Sequence, residues 1–521
     1  MTTGVLRTKP LAALLAETTD QRHSLKKTLG PFDLVAIGIG CIIGVGIFVL
    51  PGVQAANHAG PGIILSFALA AAACACAALC YAELAAMIPV AGSAYTYGYA
   101  TLGEIFAWII GWDLILEYML AAILVSTGWS AYFVNLFNQT FGAQFGLAIP
   151  QAIAASPWDA QPGRLNLPAA IIVLLITMLL VRGIRESSRV NLVIVMVKVA
   201  VILFFILVAF RHVDPSNWTP FMPFGFTGVT TAAAIVFLAY VGFDAVSTTA
   251  EEAINPQRDM PIGIMGSLIV ATVLYMAVAA IMTGIVPYTE LGVADPIALV
   301  LNALHMRWAS AVISLGAIAG ITSVLLVLLM GQPRIIFAMS RDGLLPSALA
   351  TVHRRFRTPY VTTILIGAIV AIAAALTPID VSSELCSIGT LLAFVIVCAG
   401  VITLRYTRPE LQRPFKVPLF PLLPALGVLL CGYLMISLPI ITWLRLLTWL
   451  FAGLALYAGY GHKKSAAALD HERAAGMSGR MLAACAVLVA LSIGMGLLMR
   501  YLPHEIAQER LLTAARGLLG L

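Results

Sequence analysis

"GIGCIIGVGIF", residues 38–48, lies inside an apolar segment long enough to cross a bilayer, and four of its eleven residues are Gly. Each Gly costs a helix interior about 1 kcal/mol relative to Ala. In hydrocarbon, unpaired peptide groups are tolerated only where they are buried in protein or line a cavity. The stretch therefore reads in two ways. Gly40 and Gly44 have the spacing of a close helix–helix contact. Alternatively, the helix comes undone halfway and serves a binding site.

The rest of the chain is of the same membrane type. It has 521 residues, 61% hydrophobic and 10% charged, with a mean hydropathy of +0.97. A soluble protein would carry about 25% charged residues. Uncharged runs predict spans at 31–55, 62–88, 104–137, 167–182, 190–210, 228–254, 262–286, 309–338, 360–376, 382–404, 420–440 and 441–461. A thirteenth run covers 481–501, and "HEIAQERLLTAARGLLGL" after it reads as an amphipathic surface helix. The polar first 30 residues and the length of the first run argue against a cleaved signal peptide. Most of the 30 Lys and Arg fall in loops of one side, including "RGIRESSR" and "RRFR", if the N-terminus is cytoplasmic. The expectation is a multi-pass protein of the plasma or inner membrane.

A second weak point lies five spans later. "FLAYVGFDAVSTTAEE", residues 237–252, places Gly242 and Asp244 in an otherwise apolar run. Interrupted helices at corresponding positions of two inverted halves point to the binding site of a secondary transporter.

These stretches carry a family resemblance. "GIGCIIGVGIF", "YAELAAMIPVAGSAYTY", "GWDLILEY", "FLAYVGFDAVSTTAEEAINPQRDMPIGI" and "GQPRIIFAMSRDGLLP" resemble the amino acid–polyamine–organocation superfamily, and within it the bacterial cationic amino acid transporters. The resemblance implies an all-helical fold with two inverted five-helix repeats and 12 to 13 spans. It implies a cytoplasmic tail over 1–30, a transport core over 31–404 and accessory helices over 405–521. The implied activity is alternating-access movement of an amino acid, driven by protons. Sodium coupling, exchange, a polyamine substrate or a non-transporting sensor are the alternatives.

A zwitterion has an anionic and a cationic end, and the two ends of a broken helix offer bare N–H and C=O groups. Amides of Ile43, Gly44, Val45 and Gly46 are expected to take the carboxylate. Carbonyls of Leu238, Ala239 and Val241 are expected to take the ammonium. The family often has Thr or Ser at the place of Val45 and an aromatic ring at that of Leu238. The pocket should therefore be more apolar, and the substrate neutral or broad in class.

Lys198 sits deep in the fifth span, where a charge costs about 2.5–3.5 kcal/mol on insertion scales. The resemblance implies that its ammonium replaces a sodium ion. It would donate to carbonyls near Gly38 and Ile39 and to the hydroxyls of Thr322 or Ser323, so that its deprotonation couples a proton to the cycle. Glu117 is assigned to the pocket or its gate, and Asp113 has no assigned role. Asp244, Glu251 and Arg258 are gating candidates, with Glu83, Glu252, Arg334 and Arg341 near the same end. Tyr95, Tyr97 and Tyr99 resemble an interfacial aromatic group. Cys74, Cys76 and Cys80 read as packing thiols. No metal, cofactor or nucleic acid is implied, and no nucleophile or acid–base pair of an enzyme stands out.

Overall fold

The computed structural model describes residues 27–90, 93–138, 146–157, 163–182, 184–293, 296–353, 356, 358–377, 379–436, 440–462 and 465. The thirteenth apolar run, the amphipathic C-terminus and most of the N-terminal tail lie outside these residues.

The described chain is helical. Its longer elements are α1 (Pro31–Ile42), α2 (Ile63–Met87), α3 (Glu104–Phe137), α4 (Leu167–Arg182), α5 (Ile184–Ala209) and α6 (Gly225–Val236). They continue as α7 (Pro256–Ile285), α8 (Arg307–Arg341), α9 (Tyr360–Leu376), α10 (Ile379–Thr407), α11 (Leu422–Ile436) and α12 (Ile440–Leu456). Among the described residues, seven helices are long and apolar enough to cross a membrane, and shorter apolar helices include α1, α4, α9 and α11. Leu174, Leu175 and Met178 of α4 and Met196 and Leu207 of α5 are exposed. In a bilayer such a surface meets lipid rather than water.

Two elements are interrupted. Pro31 opens α1 with its φ preset, and Asp33 accepts from the Gly30 N–H at 2.9 Å. The helix stops at Ile42; Ile43 is extended (φ −81°, ψ 102°), and a new helix runs over Val45–Phe48. Likewise α6 stops at Val236 and tightens into a 3₁₀ turn, Phe237–Tyr240. The chain turns at Gly242 (φ 123°) and resumes as 3₁₀ helix over Asp244–Glu252.

The interrupted elements touch. A Cβ on Gly46 would lie 2.6 Å from Ala239 Cβ, and one on Gly242 would lie 2.6 Å from Cys41 Sγ. Small residues here serve close approach and interruption together. The two segments also join at one end of the bundle. Thr28 and Leu29 N–H donate to the Glu252 carbonyl at 2.9 and 3.0 Å, and Ile254 N–H donates to Leu29 at 2.9 Å. Around them α7 packs on α1 and α2, α8 on α3 and α5, and α10 on α3 and α11.

Candidate functional site

The cavity at the breaks has a volume of about 210 Å³. Gly44, Gly46 and Val49 line it from the first break, and Leu238, Ala239 and Val241 from the second. Ala121, Leu124 and Val125 of α3, Val324 and Leu328 of α8 and Cys386 of α10 complete the wall. No ionisable carboxylate, Lys, Arg or His is among these lining residues.

Helix ends leave backbone groups unpaired. At the first break Ile43 N–H still donates to Ile39, at 3.0 Å, and Ile47 N–H to Gly44, at 3.1 Å. The Gly44 amide has no backbone acceptor of this kind. At the second break the Leu238 carbonyl accepts from Val241 N–H at 3.3 Å. The Ala239 carbonyl is already engaged, accepting from Tyr275 Oη at 2.8 Å, and the same hydroxyl bridges to Ile42 at 2.7 Å. The Val241 carbonyl has no backbone donor across the turn. Of the expected cavity residues, Gly44, Gly46, Leu238, Ala239 and Val241 line it. Ile43 is fully buried behind it. The Val45 side chain lies outside the described residues.

Lys198 is fully buried. Its Nζ donates to the carbonyls of Gly40 at 2.9 Å and Ile43 at 2.8 Å and to Ser323 Oγ at 2.7 Å. The expected carbonyls, Gly38 and Ile39, are therefore replaced by Gly40 and Ile43. The reason is local: Ile39 still accepts within the helix, whereas carbonyls beyond it lose their donors at the break. Ser323 takes the ammonium and also donates to Gly40 at 3.0 Å. Thr322 faces elsewhere, accepting from Trp129 Nε1 at 2.9 Å.

Asp244 is buried beside the second break. It accepts from Tyr118 Oη at 3.0 Å and from the Gly242 N–H at 3.2 Å. It thus holds the turn in place and does not line the cavity. Glu117, one helical turn before Ala121, also stands back from the lining.

At the end where Leu29 pairs with Ala253, buried ion pairs cross between elements. Glu252 pairs with Arg334 of α8 at 2.5 Å, and Glu251 with Arg341 at 3.6 Å. Glu83 of α2 pairs with Arg405 and Arg413 and accepts from Val417 N–H at 2.7 Å. Arg258 is exposed on the first turn of α7 and does not enter these pairs. Removing one member of a buried pair strands the other charge, at a cost of about 3–5 kcal/mol. Glu252→Ala is accordingly expected to lower the unfolding temperature of the purified protein, read by intrinsic fluorescence on heating. An unchanged midpoint would show that the pair contributes nothing.

Tyr95, Tyr97 and Tyr99 are buried within a short helix, Ala94–Thr101, and do not form an exposed aromatic rim. Tyr95 Oη donates to Asp342 at 2.6 Å, and Tyr99 Oη to Glu104 at 3.0 Å. Cys74, Cys76 and Cys80 are free and buried. The cavity thiols Cys41 and Cys386 went unassigned in the sequence. Only the position of Cys41 within the Gly-rich stretch hinted at its place. Among the described residues no His, Cys, Asp and Glu group is arranged to hold a metal ion.

Comparison with known proteins places this architecture. The family described as amino acid permease matches residues 29–459. The branched-chain amino acid permease BcaP of Bacillus subtilis is 50% identical over 466 residues, covering 89% of this chain and 98% of that protein. The methylthioribose transporter of the same organism is 48% identical over 462 residues, covering 89% and 99%. The vacuolar cationic amino acid transporter 4 of Arabidopsis thaliana is 38% identical over 413 residues, covering 78% and 68%. With the interrupted helices, the cavity at their breaks and these likenesses together, the chain belongs to the amino acid permease family of the amino acid–polyamine–organocation superfamily.

Proposed function

We propose that this amino acid permease is a proton-coupled transporter of neutral aliphatic amino acids at a plasma or inner membrane. It works by alternating access of two inverted repeats, α1–α5 and α6–α10. The observation that carries the substrate class is the cavity wall. Its side chains are aliphatic or thiol, and its polar groups are backbone. A substrate carboxylate finds the N–H groups of Gly44, Val45 and Gly46, helped by the dipole of the following half-helix. The ammonium finds the free carbonyl of Val241 and the remaining lone pair of Leu238. A branched aliphatic side chain then packs on Val324 and Leu328, where a cationic one would lose its hydration without a counter-charge.

Lys198 supports the coupling. Its three donors bind α1 to α5 and α8 at the break. Loss of its proton releases α1, and a charged ammonium in that position repels sodium. The basic loops favour a cytoplasmic N-terminus. The ion pairs of Glu251 and Glu252 would then close the cytoplasmic side.

The test is counterflow of labelled leucine into liposomes, with competitors. Leucine, isoleucine and valine should compete and arginine should not. Competition by methylthioribose alone would replace this reading with that of the second Bacillus relative. Ala121→Leu should fill the cavity. One methylene in an apolar pocket is worth about 10–200-fold in discrimination. Leucine affinity should therefore fall at least that far relative to alanine in the same assay.

A further inference from the structure

Asp113 and Glu117 lie one turn apart on α3, beneath the cavity floor. Asp113 is fully buried, and neither of its carboxyl oxygens has a hydrogen-bond partner. Glu117 is also buried, and its Oε2 has none. Ala121, which lines the cavity, is four residues above Glu117, so the two carboxyls form a column stepping away from the cavity by about 6 Å per four residues. Across from them α10 presents Gly389, where an added Cβ would lie 3.0 Å from Asp113 Oδ1. One turn earlier on α10, Cys386 lines the cavity and its Sγ approaches the Glu117 carbonyl at 3.8 Å. The missing side chain at Gly389 leaves the room that the carboxyl occupies.

The surroundings contain no compensating cation for Asp113. Asp244, on the segment after the second break, acts on Glu117 as a further negative group, and Thr390 of α10 stands beside Glu117. Cys386 of α10, Tyr81 of α2, Tyr118 of α3 and Cys41 of α1 are the other titratable groups in reach. From α8, Gln332 donates to the Ile115 carbonyl at 3.0 Å and leaves its own Oε1 unpartnered. The short helix Ala94–Thr101 brings Tyr95 and Tyr97, and Tyr95 is committed to Asp342. α9 carries no charged residue, and just before α4 Asn166 Oδ1 accepts from Ser130 of α3 at 2.6 Å. Arg445 of α12 makes no hydrogen bond with Asp113, neither of whose oxygens has a partner. Lys198 is committed to α1 and α8.

Two carboxylates at membrane depth with no counter-charge are costly, and a proton removes that cost with no added volume. A metal ion needs several converging ligands, and the column offers none beyond its own oxygens. We propose that Asp113 and Glu117 form a second proton-holding site beneath the cavity floor, separate from Lys198. It accepts a proton with the substrate and gives it up on the other side, adding a second proton to the cycle. The inference rests on the proton-coupled reading above.

Each proton moved down one pH unit multiplies steady accumulation by about tenfold. In liposomes under a one-unit gradient, Asp113→Asn should therefore accumulate about tenfold less leucine than wild type, while counterflow, which needs no net proton movement, persists. Equal accumulation by Asp113→Asn and wild type overturns the inference. An infrared difference spectrum of the wild type gives a second readout that needs no variant. Leucine should change the protonated-carboxyl band, and its absence also overturns the inference. If wild type itself shows no acid-driven accumulation, the proton-coupled reading fails first, and the two failures are told apart.

Discussion

Under an imposed inward proton gradient, Lys198→Met is expected to take up leucine at no more than about one tenth of the wild-type initial rate, a loss equivalent to 1.4 kcal/mol or more. Wild-type uptake should rise as the external medium is acidified, and the variant's pH profile should be shallower. Met has similar length and fills the same apolar channel, so the change removes the three donors without opening a large void. The Ile43 carbonyl then loses this donor, while Gly40 keeps the Ser323 hydroxyl at 3.0 Å. An unsatisfied buried acceptor costs about 1–3 kcal/mol, so the hinge at the first break is weakened as well as uncoupled. Residual counterflow would show that the variant still folds and binds. Undiminished uptake driven by a sodium gradient would reverse the assignment of the coupling ion.

The second large effect is expected from Gly242→Ala. Gly242 holds φ at 123°, a conformation that L side chains rarely adopt, and an added Cβ would lie 2.6 Å from Cys41 Sγ and 3.1 Å from the Cys41 carbonyl carbon. Backbone strain of this type costs about 1–3 kcal/mol. Overpacking costs about 1–3 kcal/mol more. The turn also carries the N–H that Asp244 accepts at 3.2 Å, so its displacement moves the carbonyls facing the cavity. Leucine counterflow should fall by about two orders of magnitude, as roughly 2.8 kcal/mol implies. Gly432→Ala is the control. Nothing lies within 4 Å of its added Cβ, and Ala is the better helix former by about 1 kcal/mol. Uptake by that variant should match wild type. Normal activity in Gly242→Ala would mean that the second break does not shape the binding site.

Particular residues show why part of the site was legible and part was not. Span 104–137 is found as Glu104–Phe137 and span 360–376 as Tyr360–Leu376, because a long, mostly apolar run announces a helix whether it faces lipid or the bundle interior. The seventh span begins earlier than expected, at Pro256, since Pro at the first helical position suits a helix start. The carbonyls under Lys198 were placed too early. Sequence marks a weak region, but which carbonyl is orphaned depends on the residue at which the helix stops.

Composition and the two Gly-bearing stretches alone establish that the chain enters a membrane as helices and where two of them are weakened. They also place one Lys where no water would reach it. These are local properties of consecutive residues. Which groups face each other was decided only by packing. Ser323 instead of Thr322 under the ammonium, Arg334 instead of Arg258 against Glu252, and Tyr275 on the Ala239 carbonyl each depend on the rotation of one helix against another. A rotation of about 100° per residue separates neighbours on a helix, and no single span carries the information that sets it.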